Sequence, residues 1–78
     1  MLELKKALGN NNIDYRNEFI DGEFIYIDTF NYTIEIFISD IDNKYHVGTF
    51  RDNEEDRKNE KNIKTIKAVL NYIDKFDK

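Results

Sequence analysis

Apolar and polar residues change their spacing twice along this 78-residue chain, and each spacing predicts a different element. Met1, Leu4, Ala7 and Leu8 fall on one helical face, so residues 1–8 predict a short helix. Gly9 is placed to end it, and Asn10, Asn11 and Asn12 extend it poorly. From Ile13 the period drops to two. Ile13, Tyr15, Asn17 and Phe19 alternate with Asp14, Arg16 and Glu18, as in a half-buried strand. Asp21-Gly22 then predicts a two-residue type I′ turn.

Strands over 23–28, 33–39 and 44–50 follow, separated by turns at Phe30-Asn31 and at residues 40–43. Pairing about Phe30-Asn31 sets Ile27 against Ile34 and Ile25 against Ile36. Pairing about 40–43 sets Ile38 against Tyr45, Ile36 against Val47 and Ile34 against Thr49. Both turns gather the isoleucines on one face, and a slip of one residue would scatter them. The last segment returns to a helical period: Ile63, Ile66, Val69, Leu70, Ile73 and Phe76 form a stripe, with Lys61, Lys64, Lys67, Lys75 and Lys78 on the other side. Asn62 is a candidate cap. Asp52 and Glu55 form an alternative capping box, so residues 54–61 fit either an extension of the helix or a loop. The expected fold class is α+β and two-layered, a single domain over 1–78. It has a short N-terminal helix, a four-stranded antiparallel meander and a C-terminal amphipathic helix on one sheet face.

That register places Phe24, Tyr26, Asp28, Thr33, Glu35, Phe37, His46, Gly48 and Phe50 on the opposite face, with Tyr15 and Phe19 expected beside them. Only the N-terminal helix is left to cover these rings, through Leu4 and Leu8. Glu35 faces Gly48, so the pairing leaves no strand side chain across from it. Carboxylates set among rings resemble a protein-binding surface, the rings giving anchoring area and the acids selecting a basic partner. The candidate partner-binding residues are Phe24, Tyr26, Asp28, Glu35, Phe37 and His46.

Charge sharpens this expectation. No lysine or arginine lies between Asn17 and Asn43, yet that stretch holds Glu18, Asp21, Glu23, Asp28, Glu35, Asp40 and Asp42, and the chain carries a net charge of −4. Such a surface attracts basic proteins and repels nucleic acid and anionic lipid. No apolar run is long enough to span a membrane, and residues 1–6 are too short and charged for a signal peptide, so a cytoplasmic protein is expected. Cysteine is absent, which removes disulfides and thiolate metal sites. A chain this small buries roughly 60% of its unfolded surface and has little room for a catalytic cleft.

The chemistry-bearing residues agree with a non-enzymatic reading. His46, the only histidine, has no serine or cysteine nucleophile beside it in sequence, and its pairing with Phe37 makes it a strand residue next to a ring. Asp40-Ile41-Asp42-Asn43-Lys44 begins like a calcium loop, but the glycine is missing and the twelfth position is Arg51. Neither a cofactor nor a metal is expected. Three strands and Tyr45-His46-Val47-Gly48-Thr49-Phe50 ahead of a helix resemble the DNA-binding domains of integrase arms over about half of the chain. Those domains use basic strands, and the acidic strands here set the match aside.

The absence of proline and the wealth of asparagine, isoleucine and lysine fit an AT-rich coding sequence, such as that of a low-GC bacterium or its phages. The leading expectation is a small acidic binding module directed at a basic, nucleic-acid-handling protein. Anti-CRISPR inhibitors and other DNA mimics of phages act in this way, and size, charge and coding bias are the shared features. The alternatives are a nucleic-acid-binding domain that uses the lysines of the last helix and a homodimer with its aromatic faces joined.

Overall fold

The computed structural model describes residues 1–51 and 55–77, which leaves Asp52 of the expected capping box and Lys78 of the lysine face outside the described residues. Helix α1 spans Leu2–Asn10 and buries Leu4 and Leu8 completely. It runs through Gly9, so the expected stop moves three residues on. Asn12 takes the left-handed conformation (φ 56°), and the bonds Ile13 N to Leu8 O (2.9 Å) and Asn12 N to Gly9 O (3.1 Å) make a Schellman cap. Asparagine tolerates this conformation because its short amide bonds locally.

Among the described residues five strands follow, β1 (Arg16–Phe19), β2 (Glu23–Asp28), β3 (Thr33–Ile38), β4 (Tyr45–Phe50) and β5 (Lys58–Ile63), and then α2 (Ile66–Phe76). They pair antiparallel in chain order, β1-β2-β3-β4-β5. The two central hairpins have the register the hydrophobic pattern dictates, with Ile25 against Ile36, Ile27 against Ile34, and Ile36 against Val47. Each isoleucine buried here contributes about 1.5–3 kcal/mol through removal from water.

Three expectations fail, each for a physical reason. The first hairpin pairs Phe19 with Glu23 and Asn17 with Ile25, which makes its loop three residues, Ile20-Asp21-Gly22, rather than two. Asp21 (φ 54°) and Gly22 (φ 138°) both supply positive φ, and Ile20 N donates to Gly22 O (3.0 Å). The extra residue turns β1 over. Tyr15 packs against the isoleucine core, Phe19 lies under Lys5 of α1, and Arg16 and Glu18 stand beside the rings where Tyr15 and Phe19 were expected.

Next, α1 does not cover the aromatic face. Leu4 and Leu8 join Ile25, Ile34, Ile36, Val69 and Ile73 in one core, so both helices lie on the isoleucine side and touch each other. Finally, residues 58–63 are a fifth strand, neither the helix extension nor the loop expected for 54–61, and the sheet has five strands and not four. Lys58-Asn59-Glu60-Lys61-Asn62 lacks any strand former before Ile63, but a charged edge strand guards a sheet against further pairing. The segment is held by β4, by Tyr72 Oη donating to Asn59 O (2.8 Å), and by Thr49, whose hydroxyl donates to Lys58 O (3.2 Å) and accepts from Asn59 Nδ2 (2.9 Å). Asn62 pairs with His46, and the helix cap is Thr65, which accepts from Ala68 N (3.2 Å). Lys61 therefore belongs to β5 and Lys64 to the connection, with Lys67 and Lys75 on α2.

Candidate partner-binding face

Alternation along β2, β3 and β4 brings all six sequence-predicted site residues to the sheet face that neither helix covers. Their rings form a continuous ladder. Phe24 stacks beside Tyr26 at 6.2 Å between centroids, meets Phe37 at 5.4 Å, and Phe37 stacks on His46 at 5.1 Å. Contacts of this geometry add about 0.5–1.5 kcal/mol each beyond burial. Phe24, Tyr26, Glu35, Phe37 and His46 are half-buried by one another, and Asp28 is exposed.

The charges are arranged differently from the uniformly acidic surface the sequence suggests. Glu35 does face Gly48, and the absent side chain does leave room, but Arg57 fills it. Arg57 leaves the chain just before β5, crosses Gly48, and its Nη1 donates to Glu35 Oε1 at 2.6 Å while its Nε donates to Glu60 Oε1 at 2.6 Å. Its guanidinium lies 5.3 Å from the Phe37 ring centre. Tyr26 Oη donates to the other oxygen of Glu35 (3.1 Å). The expectation that Glu35 stands free for a partner cation is therefore corrected. Burial works against the charge of Arg57, but its hydrogen bonds to Glu60 and Glu35 outweigh that and raise its pKa further. Burial, and then Glu35, raises the pKa of the Tyr26 phenol, so it remains a donor across the physiological range.

The same pairing recurs at both sides. At the β1 edge Arg16 donates twice to Asp28 (3.2 Å each) and lies 5.3 Å from the Tyr26 ring centre, and Thr33 Oγ1 adds a bond to Asp28 (3.0 Å). At the other end His46 Nε2 sits 2.9 Å from Asp42 Oδ2. Some burial works against the Asp42 charge, but the Lys44 N–H and His46 together hold its pKa below the usual value. Residues 40–43 form the expected polar turn, with Asn43 at φ 56°. Among the described residues no three histidine or carboxylate groups converge as metal ligands.

Sequence reading missed Arg57, Arg16 and Glu60 as members of this face. One signal was present for Arg57: a glycine inside a strand marks a place where another group approaches closely. Comparison with known proteins finds no matching family, no matching curated protein and no matching solved structure. Among the described residues no helix is long and apolar enough to cross a membrane.

Proposed function

We propose that the protein is a non-enzymatic binding module whose open aromatic sheet face docks a basic protein, with a nucleic-acid-handling enzyme of the host as the favoured class of target. The observation that carries this reading is the ladder Tyr26–Phe24–Phe37–His46 on a face left uncovered because both helices pack on the other side. Stacked rings prearranged on a sheet are low-entropy anchors, and anchors of this kind dominate interface energies. A pure charge mimic of nucleic acid needs rows of unpaired carboxylates. Asp28, Glu35 and Asp42 are each matched by a cation or by His46, so ring contacts carry the face and excess charge steers the encounter. A second reading keeps to the lysines: Lys61 and Lys75 flank a groove of about 290 Å³ between β5 and α2.

Affinity capture from a host lysate, after nuclease treatment, tests the first reading. A basic protein retained by the wild type and released by Phe24→Ala or His46→Ala, with both variants folded by circular dichroism, is the expected result. Retention that depends on intact nucleic acid would move the assignment to the lysines.

A further inference from the structure

The carboxylates on the body of the face are matched, but at one end they are not. β1 and β3 finish and β2 and β4 begin at the same edge of the sheet, so loops 20–22 and 39–44 stand side by side there. An open groove of about 510 Å³ lies between them, lined by Phe24, Phe37, Ile38 and Ile41 and bordered by Asp21 and Asp40. That volume falls within the range of ligand sites, and the two rings are those that begin the aromatic ladder. Ile41 is 98% exposed and Ile20, in the facing loop, 66%. Single exposed apolar residues are ordinary; here Ile38 and Ile41 line one concavity together with the two rings.

Charge identifies the occupant. Glu23 is engaged by Lys5 and by the N-terminal amine, whereas Asp21 and Asp40 make no ion pair among the described residues. Two unpaired carboxylates therefore border a groove of mixed lining, in which the rings and isoleucines stand beside Met1, Glu23 and Ser39. A copy of this chain meeting its partner by the same end would bring four such carboxylates together, which disfavours self-pairing. Nucleic acid and anionic lipid are repelled for the same reason.

We propose that this groove receives a basic segment of the partner protein: one apolar side chain enters between Ile38, Ile41 and the rings, and flanking lysines or arginines meet Asp21 and Asp40. The proposal rests on the protein-binding reading above and confines its contact to one end of the face.

Titrating the isotope-labelled protein with three peptides, KKLKK, KKSKK and EELEE, while following backbone amide resonances, tests it. KKLKK is expected to shift Gly22, Ile38 and Ile41 and to bind at least fivefold more tightly than KKSKK, with no response to EELEE. Asp21→Asn combined with Asp40→Asn should weaken KKLKK about tenfold and leave the melting temperature within two or three degrees, since both residues are exposed; asparagine also accepts the positive φ at position 21. Shifts confined to Tyr26, Asp28 and Glu35 would reject the groove and leave the broader reading standing. Silence towards every peptide would reject the groove, while loss of the captured protein in Phe24→Ala would still uphold the broader reading. A dimer by sedimentation that Ile41→Lys disperses would give the groove to a second copy and overturn the proposal.

Discussion

Gly48 shows how one missing side chain organises a surface. A Cβ built there would collide with Cγ and Cδ of Arg57, so the arginine can cross β4 only because the position is glycine. No unusual φ is needed, and alanine fits the backbone. Gly48→Ala should therefore act on Arg57 alone, lifting it from Glu35 and leaving a carboxylate that is only 13% exposed without its cation. Hydrogen bonds between charged groups in such settings are worth about 1.5–3 kcal/mol. We expect Arg57→Ala to cost about 1–3 kcal/mol in chemical denaturation and Gly48→Ala to cost about 1 kcal/mol. In the double variant the two losses should fall short of additive, because the second change removes nothing that the first has left. Full additivity would mean that the arginine does not depend on the glycine.

At the scale of elements, the outer strands β1 and β5 test the architecture, because the isoleucine ladder already dictates β2 to β4. Ile20 is the residue that makes the first loop three long, and its exposed side chain contributes little itself. Deleting it should shorten the loop to Asp21-Gly22 and keep Phe19 opposite Glu23, so β1 retains its facing and its amides their protection from hydrogen exchange, and Ile20→Ser should melt like the wild type. On the other edge, Tyr72 ties β5 to α2 through Asn59 O (2.8 Å), and burial pushes its phenol up to about 12. A pKa raised in the folded state gives stability that is complete below the unfolded value near 10 and lost as the pH rises towards 12. Absorbance of tyrosinate should accordingly show Tyr72 as the last tyrosine to ionise, behind Tyr26 and Tyr45, which burial also raises, with loss of helical dichroism over the same interval; the linked free energy is on the order of 2–3 kcal/mol. Tyr72→Phe should remove the last step and leave those of Tyr26 and Tyr45. These elements also mark where the sequence was legible. Ile25, Ile27, Ile34, Ile36 and Val47 announce their strands because alternating burial must match across both turns. Asp21-Gly22 names a turn without naming its length, and that single residue decided the orientation of Tyr15 and Phe19. Lys58-Asn59-Glu60-Lys61-Asn62 carries no apolar period at all, since its pairing comes from backbone groups and from Thr49 and Tyr72, which are remote in sequence. The six candidate residues were readable from register alone, but Arg57 reached them through a tertiary path that only Gly48 hinted at.

The whole molecule separates its charges along the chain. Residues 1–56 hold thirteen of the sixteen acidic residues but five of the twelve basic ones, so they carry −8, and residues 57–78 hold the remaining three and seven and carry +4. The protein measures 29 × 27 × 20 Å, several times the screening length of about 8 Å at physiological salt. The basic region is thus not simply cancelled by the acidic one, and net charge cannot by itself decide whether nucleic acid binds. The local arrangement decides it. Lys61, Lys64, Lys67 and Lys75 are spread over a strand edge, a connection and a helix, with Glu60, Asp74 and Asp77 among them. Arg57, the guanidinium nearest to them in sequence, is committed to Glu35 and Glu60. Phosphate binding needs several cations released from competing carboxylates, with an aromatic or arginine reader for the bases. We therefore expect no retardation of single-stranded or duplex DNA by micromolar protein at about 0.15 M salt, and only weak binding at low salt. Sub-micromolar binding that falls steeply with salt and vanishes in Lys64→Ala, Lys67→Ala would transfer the functional surface from the aromatic face to the β5–α2 side.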